Sequence, residues 1–392
     1  MRGVTDLITK INTIISSGTA TETQLTALSA AVDSIEKRGV ASVASPANLP
    51  NPVLNKGRFL FVQSTNSYVF SDGVTWDINR IIAPNPPPLY AWGSNNYGQL
   101  GDNTTVSKLS PVSVVGGFTD WVQVDSAEGH TVGMRANGSA WAWGQGFGGR
   151  LGDNTTVDKS SPVAVVGGFT DWIQVNAGGS HSVGLRANGT AWAWGYGGNA
   201  CLGDNTTVAK SSPVSVVGGF TDWIQVSTLS NHTIGLRANG TAWAWGQNSS
   251  GGRLGDNTTV NKSSPVSVVG GFTDWVQVSA GQIHSAGVRT NGTAWAWGGN
   301  GFGRLGDNTE VDKSSPVSVV GGFTDWIQVS GGTSHTVGLR ANGTAWAWGQ
   351  GLRGSLGDNT TVNKSSPVSV VGGFTDWVQV SAGYHTAGLR AT

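Results

Sequence analysis

The sequence predicts an all-β fold: a six-bladed β-propeller preceded by a short helical stem and a small β collar. Three observations carry that prediction. The 392-residue chain holds 60 Gly and 18 Trp with 12% charged residues, too much glycine for a helical protein and without the strict period of three of collagen. The tetrad LGDN begins at Leu100, Leu151, Leu202, Leu254, Leu305 and Leu356, at spacings of 51, 51, 52, 51 and 51 residues, and a fixed period of that length marks a repeat architecture. Each unit contains four short β-type runs with turn residues between them, the content of one propeller blade.

The elements follow in chain order. Val4, Leu7, Ile11 and Ile14 are spaced as an a/d seam, and Leu25, Leu28, Val32 and Ile35 repeat the pattern. Thr21-x-x-Gln24 supplies a capping box for the second helix. Helices this short are marginal alone in water, so residues 1–40 are expected to bury their seams in a hairpin, a homo-oligomeric coiled coil or a socket on another protein. Residues 41–85 form a linker and a small β module: a loop-like stretch over 41–57, then RFLFVQ, SYVF and VTWDIN as three strands, with a turn at Asp72-Gly73. APNPPP (83–88) is a stiff spacer. Residues 86–392 are the propeller.

Within the repeat the four runs are PVSVV, WIQVSA, HTVGLRA and TAWAWG. WIQVSA alternates apolar and polar residues, as a half-buried strand does. Asn-Gly joins the last two runs at Asn137, Asn188, Asn239, Asn291 and Asn342, the strongest short hairpin signal because both residues tolerate positive φ. The repeat region opens on PLYAWG, a fourth run with no third before it, and the chain closes on HTAGLRAT, a third run with no fourth after it. Tyr90–Gly93 is therefore expected to complete the blade containing His385. That would close the ring and leave no sheet edge at the seam.

Lys plus Arg and Asp plus Glu are both 23, for a net charge of zero. A neutral chain has no general attraction to phosphate, which argues against nucleic acid as the main partner. One cysteine excludes an internal disulfide framework, and no apolar run is long enough to span a membrane. The six histidines fall one per repeat, at His130, His181, His232, His284, His335 and His385. Each is expected to pack and hydrogen-bond inside its own blade, since copies on separate blades cannot share one metal's coordination sphere. The Asp and Asn of LGDN offer too few oxygens for calcium and read as turn formers. Cys201 stands where Arg150, Arg253 and Arg304 stand in other units and has no unique base beside it. No metal, no cofactor and no catalytic residue is expected: near-identical units lack the asymmetric constellation an enzyme needs.

The units differ mainly in two stretches. After AWAWG they read SNNYGQ, QGFGGR, YGGNAC, QNSSGGR, GNGFGR and QGLRGS; before each His they read DSAEG, NAGGS, STLSN, SAGQI, SGGTS and SAGY. In a four-stranded meander these loops leave from one end, while the Asn-Gly and GGFTD turns leave from the other. The variable end is the candidate binding face, with Tyr97, Phe147, Arg150, Tyr196, Asn199, Phe302, Arg353 and Tyr384 as its candidate contact residues. Aromatic groups among Gly, Asn, Ser and Gln supply stacking area with adaptable hydrogen bonding, as in paratopes.

AWGxNxxGQLGD, a following PVxV strand and GxxHTVGLRxNGxxWAWG together resemble the RCC1 (regulator of chromosome condensation) repeat, over about 300 residues and six copies. The resemblance implies a propeller, usually of seven blades where this chain has six units. It implies no single function, because the family includes an exchange factor for a small GTPase, a plant ultraviolet-B receptor and a bacterial β-lactamase inhibitor. RFLFVQSTNSYVFSDGVTWDINR resembles a small β module of phage tail fibres, where YxxSDGxxW recurs. That second resemblance implies a non-enzymatic virion protein, a tail fibre or receptor-binding protein. Its N-terminus would join other virion or tail proteins, a trimer being the fibre norm, and its propeller face would meet a host-surface receptor such as a polysaccharide. A virion decoration protein and a secreted inhibitor- or exchange-factor-like module stand as alternatives.

Overall fold

Each run of β-branched and aromatic residues becomes a strand where glycine or asparagine turns bound it. The computed structural model describes residues 89–391 and, before them, three strands: β1 (Phe59–Val62), β2 (Ser67–Ser71) and β3 (Trp76–Asp77). These form an antiparallel sheet in the order β1-β2-β3, with Phe59 opposite Phe70 and Ser71 opposite Trp76. This is the three-strand module expected from the sequence. The helical stem, with Leu7, Ile11, Ile14, Leu25, Leu28, Val32 and Ile35, lies outside the described residues, as do the linker and the proline-rich spacer. The chain divides into two units, Met1–Pro87 and Pro88–Thr392.

The second unit is built from one repeated sheet. Its first complete copy holds β6 (Trp121–Ser126), β7 (His130–Arg135), β8 (Ala140–Gly144) and β9 (Lys159–Ala164), hydrogen-bonded in that order. The same antiparallel meander recurs as β10–β13 within 172–215, β14–β17 within 223–267, β18–β21 within 275–318 and β22–β25 within 326–369. Two half-sheets flank this series. β4 (Tyr90–Gly93) pairs with β5 (Lys108–Ser113), and β26 (Trp377–Ala382) pairs with β27 (Thr386–Arg390).

The blade therefore starts one strand later than the sequence reading placed it. The Trp strand comes first and the proline-bearing strand last. Proline fixes this phase: Pro111, Pro162, Pro213, Pro265, Pro316 and Pro367 all lie in the fourth strand, at the outer edge of the blade, where a residue without an N–H is tolerated. The closing pair between β4 and β27 is also not formed, because each half-blade pairs only within itself.

The core lies between successive blades. Trp172 and Trp194 of the second blade pack against Val132, Met134 and Leu151 of the first, and equivalent clusters follow around the array. Trp143, Trp194, Trp245, Trp297 and Trp348 are fully buried with no acceptor for their indole N–H. Burying about 200 Å² of indole is worth about 5 kcal/mol, which outweighs the ~1–3 kcal/mol of an unpaired N–H. Each ring lies over a glycine in the left-handed region. At Gly152 (φ 67°) an added Cβ would stand 2.7 Å from Trp194 Nε1.

A glutamine clamp ties each first strand to the next. Gln123 Nε2 donates to the Val175 carbonyl at 2.9 Å, and the Val175 N–H donates to Gln123 Oε1 at 3.0 Å. Gln174 and Val226, Gln225 and Val278, Gln277 and Val329, and Gln328 and Val380 repeat it. The clamp satisfies inner-strand groups that have no strand neighbour on that side.

Candidate recognition face

The strand order places the loops as expected. The first-to-second turns and third-to-fourth loops leave one end of each blade; the Asn-Gly turns and blade-to-blade connectors leave the other.

Packing accounts for the constancy of the second end. Arg186 bonds Asp171 at 2.8 Å while its guanidinium lies 4.0 Å from the Phe169 ring centre, and Arg135 treats Asp120 and Phe118 in the same way. Gly138 and Gly189 have positive φ, and an added Cβ would meet the carbonyl of Thr170 or Thr221.

Part of the variable end is also structural. Asp153 Oδ1 accepts from the N–H and hydroxyl of Thr155, and Lys159 lies 3.5 Å from Asp153. Asn154 takes φ 65° and donates its N–H to the Ser211 carbonyl of the next blade. LGDN is thus a turn and an interblade tie.

The candidate contact residues separate into two groups. Phe147 is 58% exposed and stacks on Tyr196 of the neighbouring blade, with ring centres 5.9 Å apart and planes 29° apart. Tyr97, Phe302, Arg353 and Tyr384 are exposed, and Asn199 is half-buried. Phe302 and Arg353 hold positive φ (69° and 61°), backbone strain of the kind found at functional loops. Arg150 leaves the set: it is buried, donating from Nε to the Phe147 carbonyl at 3.0 Å and from a terminal nitrogen to the Gly179 carbonyl at 3.0 Å. It props the loop instead of facing solvent. Arg253 and Arg304 occupy equivalent places, and burial pulls the Arg253 guanidinium down to about 10. Leu352, 57% exposed, was missed by the sequence reading; it stands in the column of Phe147 when QGLRGS is laid on QGFGGR.

The histidines bridge blades instead of closing within one, which corrects the sequence expectation. His130 Nε2 lies 2.8 Å from Ser182 Oγ, and the same bond joins His181 to Thr233, His232 to Ser285, His284 to Thr336 and His335 to Thr386. Ser182 Oγ donates its own proton to the Arg150 carbonyl, so it receives the proton of His130 Nε2. Burial, reinforced by Arg150, lowers His181 to about 3, and burial with Arg304 lowers His335 to about 4. His130, His232 and His284 are lowered too, chiefly by burial. Cys201 is buried, its thiol donates to the Tyr196 carbonyl, and burial pushes it up to about 12. Among the described residues no three His, Cys, Asp or Glu side chains gather as a metal site, and no helix is long and apolar enough to cross a membrane.

Repeated four-stranded sheets joined through their inner strands define the second unit as a β-propeller array. Residues 88–391 match the RCC1-like domain, and the chain belongs to that family. The ultraviolet-B receptor UVR8 of Arabidopsis thaliana is 28% identical over 71% of this chain, which spans 64% of that protein. RUG3, a mitochondrial RCC1 domain-containing protein of the same plant, is 27% identical, with 72% and 70% covered. The human E3 ubiquitin-protein ligase HERC2 is 28% identical over 72% of this chain but only 6% of its own length. Human WBSCR16 shares the fold at a TM-score of 0.67 and 21% identity, over 75% of this chain and 78% of that one. Yeast RCC1 (Prp20), solved with Kap60, shares it at 0.56 and 16%, over 79% and 90%.

Proposed function

We propose that the propeller is a non-catalytic recognition module whose variable loop end binds a host-surface polysaccharide, carried on a virion by its N-terminal region as a tail fibre or receptor-binding protein. The observation that carries the reading is the set of exposed side chains on the loops that vary between units, with the Phe147–Tyr196 stack at its centre. Sugar rings present flat C–H faces that such rings can cover, and a net charge of zero favours ligands recognised by shape and hydrogen bonding. The reading as non-catalytic rests on what the obvious nucleophile and bases do: the thiol of Cys201 and the imidazoles from His130 to His335 are buried and committed to structural bonds.

A protein ligand is the second reading. It is favoured by the structures of yeast RCC1 (Prp20), one bound to Kap60 and another described with its binding to Gsp1p and histones. The test places the full-length chain and its Phe147→Ala/Tyr196→Ala variant on a panel of bacterial surface polysaccharides and on whole cells. Wild-type binding that falls at least about tenfold in a variant of unchanged melting temperature supports the first reading. A wild-type chain that binds none of them, yet forms a stoichiometric protein complex the variant retains, replaces it with the second.

A further inference from the structure

Three units place an arginine just before LGDN, and one of these arginines lacks both a hydrogen-bond partner and a counter-charge. Arg150 and Arg304 donate from Nε to a carbonyl of their own loop, that of Phe147 or Gly301, each at 3.0 Å. Arg253 is 1% exposed, and its Nε–H has no acceptor. A terminal nitrogen holds the Gln282 carbonyl of the next blade at 2.9 Å. The cause lies in the sequence. Leu202 to Leu254 is the one LGDN spacing of 52, and the extra residue falls in QNSSGGR. In the shorter loops the turn before the arginine spans three residues: Gly149 N–H donates to the Gly146 carbonyl at 2.8 Å, and Gly303 N–H to that of Asn300 at 2.9 Å. In the longer loop Gly252 N–H reaches back four residues, to the Asn248 carbonyl at 3.2 Å. The wider turn withdraws the carbonyl that Nε would meet.

The counter-charge is lost by a second change. Asp158 Oδ1 accepts from the Gly146 N–H at 2.8 Å and Asp312 Oδ1 from the Asn300 N–H at 2.7 Å, and their charges act on Arg150 and Arg304. In the unit of Arg253 that place belongs to Asn261, whose Oδ1 takes the Asn248 N–H at 2.7 Å and carries no charge. Other carboxylates of the region are committed. Asp256 accepts from Thr258 and Asn248 and lies 3.4 Å from Lys262. Asp312 reaches Gly251 but serves Asn300 and Arg304. His232 and His284 are held neutral by burial, with Arg253 adding to the effect. A guanidinium stays charged at neutral pH even when lowered to about 10, and a buried charge without a partner is strongly disfavoured.

We infer that this joint binds a monovalent inorganic anion of halide size, held between Arg253 Nε and the wide turn over 248–252. The N–H groups of Ser249, Ser250 and Gly251 have no acceptor among the described residues, and Gly251 and Gly252 hold φ of 81° and 80°. Successive N–H groups about a left-handed residue form an anion-binding concavity. Burial sets the size: a guanidinium this enclosed admits an ion the turn can surround and shuts out a carboxylate borne on a long glycan. The site is separate from the recognition proposed for the exposed aromatic residues.

The test is chemical denaturation of the full-length chain at neutral pH and constant ionic strength, chloride replacing gluconate, which is too large to enter. The readout is the difference between wild type and Arg253→Gln, which cancels the general effect of exchanging salts. Glutamine fits this place, since Gln99 occupies it in the first unit and donates to the Glu128 carbonyl at 3.3 Å. The folded-to-unfolded ratio of the wild type should rise about tenfold, relative to the variant, for each tenfold increase in chloride above its dissociation constant. Asn261→Asp restores the carboxylate of Asp158 and Asp312 and should lose the chloride dependence as well. Equal chloride dependence in wild type and Arg253→Gln, or its survival in Asn261→Asp, overturns the site. Crystals grown in bromide should show an anomalous peak beside Arg253 Nε, and bromide peaks elsewhere with none there overturn it too.

Discussion

Lowering the pH from 7 to 5 should strip this fold of much of its stability. The perturbed groups are His130, His181, His232, His284 and His335, all buried, each bonded through Nε2 to a hydroxyl on the next blade. Their folded-state affinities for a proton are depressed, to about 3 for His181 and about 4 for His335, against an ordinary value of about 6.5. Between those limits the unfolded chain binds more protons than the folded one, so stability is complete above about pH 6.5 and falls as the pH drops. At pH 5 His181 and His335 each cost about 2 kcal/mol relative to pH 7, together about 4 kcal/mol against the roughly 5–15 kcal/mol that holds a whole domain folded, and His130, His232 and His284, lowered chiefly by burial, act in the same direction. Carboxylates act lower: Asp274, held below the usual carboxylate range by the bond from Arg289, loses its contribution only below about pH 4. The assay is the denaturant midpoint at half-unit steps from pH 7.5 to pH 4.5. His181→Gln keeps a donor for Thr233 and should make the fall with pH shallower by about 2 kcal/mol between pH 7 and pH 5. A midpoint flat down to pH 5 would refute the argument that these rings are buried and neutral.

Gln174→Ala orphans the N–H and carbonyl of buried Val226 and should cost about 2–5 kcal/mol, read from chemical denaturation; a loss below about 1 kcal/mol removes the clamp from the account. Gly152→Ala meets both a positive φ and the Trp194 indole and should cost at least about 2 kcal/mol, while Gly168→Ala, strained by its φ of 68° but open on all sides, should cost about 1 kcal/mol. Cys201 should resist iodoacetamide in the native chain at pH 8 and react fully in denaturant, by mass spectrometry; rapid native labelling contradicts its burial.

The period, the strands and the end of the blade that varies were legible in the amino acids because each is a local signal repeated along the chain. The phase of the blade was written in Pro162 and its counterparts: a residue with no N–H cannot sit inside a sheet, so its strand must be outermost. The histidine and glutamine partners were not legible. His130 meets Ser182 at a separation of 52 residues, and one full repeat looks alike whether a contact closes within a blade or reaches the next. Arg150 misled for a related reason. It stands in a variable stretch, yet carbonyls of its own loop (Phe147) and of the next blade's first turn (Gly179) take its donors, a role that composition does not reveal.

The sameness of the joints bears on how many blades the array can hold. Gln123 meets Val175 as Gln328 meets Val380, so no joint between the described blades is specialised over another in this clamp. A gene that gained one more unit of 51 residues would add a sheet with both faces already matched to its neighbours and leave the terminal strands unchanged. The length of the array then becomes a property of copy number, and the span of its loop-bearing edge can be reset by duplication alone, with no new contact to invent.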